Sequence, residues 1–162
     1  MGESLEPILD LYAAQYGVVF AARLGEGKDG EVYRTTSMTA VKFLSSMDYF
    51  NRERRAYKIL QEAKIVRIAG HQCPTLIRTD DVYLSIEMTV VRPPFIVDFV
   101  SAYTDEELEW LGFSEDVIAE RHAFWQERFG ERWPKVMQIC GEFHRVTGLT
   151  LLDLSHNNIR FT

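Results

Sequence analysis

The chain has 162 residues, 46% hydrophobic and 12% aromatic, which is enough for a substantial core in one domain or a small two-lobed one. Its 18 basic and 24 acidic residues give a net charge of −6, which argues against a nucleic-acid partner because a phosphate backbone attracts basic proteins. No apolar run is long enough to span a membrane, no signal peptide is evident and the two cysteines form no metal-like or disulfide pattern, so we expect a cytoplasmic location.

The first elements in chain order are predicted to be a short helix and three strands. The helix covers residues 5–17, and an apolar run over residues 18–24 predicts the first strand. Residues 31–35 and 38–43 are rich in β-branched and aromatic side chains on either side of a turn at Thr36-Ser37. This pattern predicts two further strands joined as a hairpin.

The connection between the first two strands is rich in glycine. Gly25, Gly27 and Gly30 precede Val32 with G-x-G-x-x-G-x-V spacing, and Lys42 lies on the strand that follows. Because glycine has no Cβ, backbone N–H groups in such a hairpin can approach phosphates closely, and a lysine nearby neutralises their charge. The pattern predicts an ATP site, with an ordinary glycine-containing hairpin as the alternative. A dinucleotide-binding fold would place a helix after the glycines, and a Walker phosphate loop would need G-K-[ST].

A long amphipathic helix and a late strand complete the first part of the chain. The apolar spacing over residues 48–60 predicts a helix with Glu53 at its inner edge. Glu53 there can pair with Lys42, although an ordinary pairing with basic neighbours on the helix surface is the alternative. Alternation over residues 82–88 predicts the late strand, which Arg92-Pro93-Pro94 ends.

The second part is predicted to be mostly helical. Residues 95–102 are apolar enough for a helix or a packed segment, and Thr104 with Glu107 forms a capping box that opens an acidic stretch. For that stretch a solvated helix face is favoured over a docking site for a basic partner. Pro134 suits the first turn of a further helix, which Gly148 ends.

Residues 151–159, Leu-Leu-Asp-Leu-Ser-His-Asn-Asn-Ile, supply an independent motif. With it the chain resembles the protein-kinase-like superfamily, whose catalytic loop runs H-R-D-L-x-x-x-N. The resemblance implies that Asp153 accepts or orients the proton of an attacking hydroxyl and that Asn158 coordinates Mg²⁺ on the ATP phosphates. Both residues are also common in turns, which is the alternative.

The resemblance also implies where the adenine base would lie. Val32 and Ala40 would cover the base and Ile86 would face the back of its pocket, while backbone groups of Glu87 and Thr89 would hydrogen-bond its edge. Routine core packing is the alternative for the three apolar residues. The implied fold is α+β and kinase-like: an N-lobe over residues 1–92 with an antiparallel sheet and one major helix, then a reduced, mostly helical C-lobe over residues 93–162.

The motif departs from the superfamily pattern in ways that narrow the function. Leu151 and Leu152 replace its histidine and arginine, so regulation by a phosphorylated activation loop is not expected. The pattern looks more like atypical bacterial Ser/Thr-kinase-like proteins and small-molecule phosphotransferases, and the sequence ends at Thr162, before the D-F-G segment. Three functions remain open: transfer of the ATP γ-phosphate to a hydroxyl of a protein serine or threonine or of a small molecule, a pseudokinase that binds nucleotide or a partner, and a fragment of a longer kinase.

Overall fold

An antiparallel sheet and several helices make up most of this computed structural model, which describes residues 4–162. The elements in the first part are helices α1 (Glu6–Tyr16) and α2 (Met47–Glu62) and strands β1 (Phe20–Gly27), β2 (Gly30–Thr35), β3 (Thr39–Leu44), β4 (Arg67–Ile68), β5 (His71–Gln72), β6 (Leu76–Asp80) and β7 (Ser85–Thr89). They are followed by strands β8 (Phe95–Ile96), β9 (Ala102–Thr104), β10 (Leu149–Leu151) and β11 (Ile159–Arg160) and helices α3 (Asp105–Trp110), α4 (Glu115–Phe129) and α5 (Trp133–Thr147).

The chain divides into two units. Unit 1 contains the described residues up to Asn51 together with Leu76–Val90, and unit 2 contains Arg52–Thr75 and Val91–Thr162. The change near residue 90 lies close to the expected lobe boundary at residue 92, whereas Arg52–Thr75 belongs to unit 2 rather than to the first part. Side chains of α2 explain this, because Arg52 and Arg55 donate to backbone carbonyls of residues 100 and 102. The division into two lobes at residue 92 stays a prediction.

Unit 1 is built on a five-stranded sheet in the order β1-β2-β3-β7-β6, with every neighbouring pair antiparallel. The predicted first helix and hairpin strands are confirmed within a few residues. The late strand begins at Ser85 rather than at residue 82, because residues 81–84 form a turn in which Leu84 has a φ of 48°. Strand β6, which precedes this turn, was not predicted.

Helix α1 covers one face of this sheet. Tyr12 of α1 and Val41 and Phe43 of β3 are buried at the centre of that contact. Val41 and Phe43 are two residues apart and therefore point to the same side of the strand. Partly buried residues surround them: Leu5, Ile8, Leu9, Tyr16, Val18, Phe20, Tyr33 and Tyr83.

Unit 2 is mostly helical, as predicted. Helix α5 buries Val136, Ile139 and Phe143 on one face, and it ends at Gly148, which has a φ of 71° that a residue with a Cβ rarely adopts. The predicted capping box at the start of α3 is confirmed. The Thr104 hydroxyl accepts the backbone N–H of Glu107, and the Glu107 carboxylate accepts the backbone N–H of Thr104. The acidic stretch forms two helices, α3 and α4, and residues 95–102 contain the short strand β8 rather than a helix.

The architecture confirms the predicted fold class: α+β, with an antiparallel sheet, one major helix between its third and fourth sequential strands, and a reduced, mostly helical second part. Short strands also occur in unit 2, where β9 pairs with β10 and β8 lies between β5 and β11. Within residues 4–162 no helix is both long enough and apolar enough to cross a membrane.

Candidate active site

The glycine-rich connection forms a tight hairpin between β1 and β2. Gly27 pairs with Gly30 across the hairpin, so Lys28 and Asp29 occupy its tip. The tip is tied to the residue after β3: the backbone N–H of Ser45 donates to the carbonyl of Asp29 at 3.0 Å, and its hydroxyl donates to the carbonyl of Lys28 at 2.8 Å. These bonds fix the tip of the hairpin to the end of β3, the strand that carries Lys42.

The three glycines of the motif differ in backbone conformation and in the space around them. Gly30 has a φ of 148°, and a Cβ at this position would lie 2.0 Å from the carbonyl oxygen of Phe43. Gly25 and Gly27 do not have left-handed backbone, and a Cβ on either would meet nothing within 4 Å. The fold of the hairpin therefore requires glycine at position 30 only. At positions 25 and 27 the missing Cβ leaves open space beside the backbone, which is what a ligand approaching the main chain needs.

Charged side chains brace the base of the hairpin. The guanidinium of Arg23 contacts the carboxylate of Glu26 at 2.7 Å and that of Glu31 at 3.6 Å. The hydroxyl of Tyr33 donates to Glu31 at 2.5 Å, and burial together with this bond raises the pKa of Tyr33. Arg23 and Glu26 are largely exposed, so each ion pair contributes little by itself. The bonds nonetheless link both strands of the hairpin.

One face of the sheet collects most of the predicted nucleotide-binding side chains. Val32, Lys42 and Ile86 are directly opposite one another on β2, β3 and β7. Ala40 is two residues from Lys42 and so shares this face, which is opposite to the face that Val41 presents to α1. Lys42 is only 6% exposed. The structure thus brings these residues together in unit 1, on the face of the sheet opposite to α1.

Glu87 points to the other face, where it forms a buried polar network that the sequence did not reveal. Its carboxylate, on a residue only 2% exposed, accepts from the hydroxyls of Tyr12 at 3.0 Å and Thr39 at 2.7 Å. Arg78 of β6 adds an ion pair at 2.7 Å. Burial and the adjacent Glu87 carboxylate raise the pKa of Tyr12, so its hydroxyl stays a donor. The Glu87 side chain therefore serves to attach α1 to the sheet.

The two predicted backbone contacts to adenine differ in their surroundings. Glu87 has strand partners on both sides, Val41 on β3 and Arg78 on β6. Thr89 pairs with Thr39 on β3 and lies past Met88, the last residue of β7 that is paired with β6. Of the two residues, Thr89 is the one beyond the doubly paired part of the strand.

In unit 2 the loop that follows β10 carries the other predicted residues. Asp153 is exposed, whereas its neighbours Leu152 and Leu154 are buried, the latter completely at 0%. Leu151 and Leu152, which replace the histidine and arginine of the superfamily motif, are buried apolar anchors of the loop. A loop anchored on both sides of an exposed aspartate presents the carboxylate to solvent from a fixed backbone.

Asn158 closes the same loop. Its backbone N–H donates to the carbonyl of Ser155 at 3.0 Å, and its own carbonyl accepts from the N–H of Val97 at 2.8 Å. His156, inside the turn, contacts the carbonyl of Arg128 at 3.2 Å and the ring of Phe129 at a centroid distance of 4.3 Å. The sequence identified Asp153 and Asn158 but gave no signal for the contacts of His156, because they depend on where α4 ends.

Glu53 lies on the part of α2 that belongs to unit 2 and is 1% exposed. One turn further along the helix, burial raises the pKa of Tyr57, and the charges of Glu53 and Asp98 raise it further. Lys42 belongs to unit 1, and its predicted pairing with Glu53 stays a prediction.

The donor atoms of the loop suit a hard cation. Among residues 4–162, no three His, Cys, Asp or Glu side chains are grouped so as to hold a metal ion. Magnesium usually needs only one or two protein oxygens when phosphates and water complete its shell. The amide oxygen of Asn158, the residue predicted to hold Mg²⁺, is a donor of that kind.

The fold class rests on the helices and strands described above, because the comparisons with known proteins assign the chain to no family. No protein-family model matches the chain, and no curated protein matches it. Among solved structures, the chain is similar to one described as the ternary complex of streptomycin, ATP and APH(2″)-IIa, with 16% sequence identity and a TM-score of 0.45. The alignment covers 76% of this chain and 36% of that one, so the chain spans about a third of the length of that protein. At this level the similarity carries no argument about the site.

Proposed function

We propose that the chain is a phosphotransferase of the protein-kinase-like type, which binds ATP and transfers its γ-phosphoryl group to a hydroxyl. The observation that carries the proposal is the common face of the unit 1 sheet. It combines a buried lysine with three apolar side chains, next to a hairpin with two glycines that the fold itself does not require. Lysine and open backbone suit phosphates, and an apolar surface suits a flat base.

Each part of unit 1 has a role in this proposal. Backbone N–H groups near Gly25 and Gly27 bind phosphate oxygens, and Lys42 neutralises their charge. A backbone edge at the end of β7 binds the adenine, at Thr89 in preference to Glu87, because Thr89 lies past the doubly paired part of the strand. The apolar contacts to the base are assigned to Val32, Ala40 and Ile86.

The reaction itself needs a base for the acceptor hydroxyl. The acceptor oxygen bonds to the γ-phosphorus while the bond from that phosphorus to the bridging oxygen breaks, so ADP leaves with the electron pair. The proton of the hydroxyl passes to the carboxylate of Asp153, which is exposed on a loop with buried anchors. Magnesium, which the amide oxygen of Asn158 would help to hold, would neutralise phosphate charge.

Calorimetric titration with ATP, in the presence and absence of Mg²⁺, tests the binding step. We expect the wild type to bind, and Lys42→Ala to weaken binding by roughly 10- to 100-fold, because a charge-assisted hydrogen bond contributes about 1.5–3 kcal/mol. Lys58→Ala is the matched control, since it removes the same charge from an exposed position on α2. A wild type that binds no adenine nucleotide, or equal affinities for all three proteins, would reject the nucleotide site.

Turnover of labelled ATP tests the chemical step, with water and with a panel of protein and small-molecule hydroxyls as acceptors. Asp153→Asn should lower the rate by about 10²–10⁴ while changing ATP affinity less than tenfold, because the carboxylate acts on the acceptor rather than on the nucleotide. If the wild type binds ATP without turnover, a nucleotide-binding pseudokinase, or a fragment that needs further sequence, replaces the phosphotransferase.

A further inference from the structure

A serine accepts the backbone N–H of Asp153 at the point where strands β9 and β10 separate. Strands β9 and β10 pair as far as Leu151 opposite Ala102. Beyond that pair, the N–H of Leu152 donates to the carbonyl of Ser101 at 3.2 Å, and the N–H of Asp153 donates to the hydroxyl of Ser101 at 2.9 Å. Ser101 therefore accepts two successive amides, and its side chain continues the ladder one residue beyond the backbone.

The segment around Ser101 is itself fixed by α2. The Nε of Arg52 donates to the carbonyl of Val100 at 2.9 Å, and Nη2 of Arg55 donates to the carbonyl of Ala102 at 2.9 Å. Both neighbours of Ser101 are thus held through their carbonyls by side chains one helical turn apart.

Arg55 also connects this segment to the start of α3. Its two terminal nitrogens contact the two carboxylate oxygens of Glu107 at 2.8 and 2.7 Å, a bidentate arrangement with strong directional preference. The same carboxylate accepts from the N–H of Thr104 at 2.8 Å. The hydrogen bond from Arg55 is the main reason why the pKa of Glu107 is lowered, so the pair stays ionised.

Apolar packing also holds the segment around Ser101 in place. Phe99, fully buried two residues before Ser101, contacts the ring of Tyr57 at 5.1 Å and stacks on Phe143 of α5 at 5.4 Å. Ser101 thus stands on a segment that is fixed to α2, α3 and α5. Because the segment is fixed, the hydroxyl of Ser101 gives the N–H of Asp153 an acceptor at a defined position, which a mobile water molecule would not provide.

We propose that Ser101 is a positioning residue for Asp153: its hydroxyl sets the backbone of the aspartate, and thereby the direction of the carboxylate. This inference rests on the proposed function, in which Asp153 takes the proton of the acceptor. Because a base must lie within hydrogen-bond reach of that proton, a small rotation of the Asp153 backbone lowers the rate of transfer without changing nucleotide affinity.

The test compares Ser101→Ala with Ser101→Thr, which keeps the hydroxyl. The control is Ser114→Ala, because the hydroxyl of Ser114 also accepts a backbone N–H within unit 2, that of Val117 at the start of α4. Two quantities are measured: amide hydrogen exchange at Asp153, and the kcat and KM of ATP turnover.

We expect Ser101→Ala to speed exchange at Asp153 by roughly five- to tenfold and to lower kcat by about tenfold, with KM for ATP within twofold. Ser101→Thr should restore both, and Ser114→Ala should change neither. Wild-type exchange or full kcat in Ser101→Ala would overturn the positioning role and leave the proposed function intact. A wild type without any ATP turnover would instead overturn the proposed function, and the role of Ser101 in it.

Discussion

Replacing Gly30 with alanine should destabilise the protein far more than the same change at Gly27, although both glycines belong to one hairpin. At position 30 the new Cβ would lie 2.0 Å from the carbonyl oxygen of Phe43 and 3.0 Å from its carbon, both of them backbone atoms. Neither atom can move without separating β2 from β3. The φ of 148° adds strain, because this region is almost confined to glycine.

The size of the effect follows from these two terms. Overpacking against a backbone that cannot yield costs about 1–3 kcal/mol, and a disfavoured backbone conformation costs about 1–3 kcal/mol as well. We therefore expect the free energy of unfolding to fall by roughly 3–5 kcal/mol. For a chain of this length, each 1 kcal/mol corresponds to about 2–4 °C in the midpoint of thermal unfolding.

Gly27→Ala is the matched control. No atom lies within 4 Å of its added Cβ and its φ is not left-handed, so the unfolding free energy should change by less than about 1 kcal/mol. The open space beside Gly27 is where we propose that phosphate approaches, so this variant should instead weaken ATP binding.

Urea unfolding followed by far-ultraviolet circular dichroism is the appropriate assay, because all three tryptophans lie in unit 2 and their fluorescence reports there. Equal stability of the two variants, or a wild-type midpoint for Gly30→Ala, would refute the division of the glycines into a structural and a ligand-facing class.

Three further outcomes are expected. Tyr12→Phe removes one donor from the buried Glu87 carboxylate and should cost about 1–2 kcal/mol in urea unfolding, less if Thr39 and Arg78 compensate. Because the pKa of Glu107 is lowered in the folded protein, the carboxylate stabilises the fold fully above about pH 4.5, and this stabilisation is lost as the pH falls through the folded-state pKa. Glu107→Gln should therefore make the free energy of unfolding less dependent on pH in the acid range. The change should be less than about 1 kcal/mol, because the side chain is 35% exposed. Burial raises the pKa of Cys73 to about 12, so iodoacetamide at pH 8 should label this thiol only as fast as the protein opens. Labelling of the native protein at the rate of a free thiol would contradict the burial of Cys73.

The sequence by itself determined the elements whose signals are local. The glycine spacing, the hairpin strands on either side of Thr36-Ser37, the helix around residues 48–60 and the capping box at Thr104 each depend on residues within a few positions of one another. Local dihedral preferences and a periodicity of two or 3.6 residues are visible in such short windows.

Only the tertiary structure decided which faces and loops meet. Tyr12 and Glu87 are 75 residues apart, and Ser101 and Asp153 are 52 apart. Alternation along β7 does not say that Glu87 faces α1, because that depends on the unpredicted strand β6 and on a register set by its neighbours. Similarly, no short window contains both the amide of Asp153 and Ser101, the residue whose hydroxyl accepts it. Contacts of this kind form when a strand order and a packing arrangement are chosen by the whole chain, since burial of the core outweighs local preference.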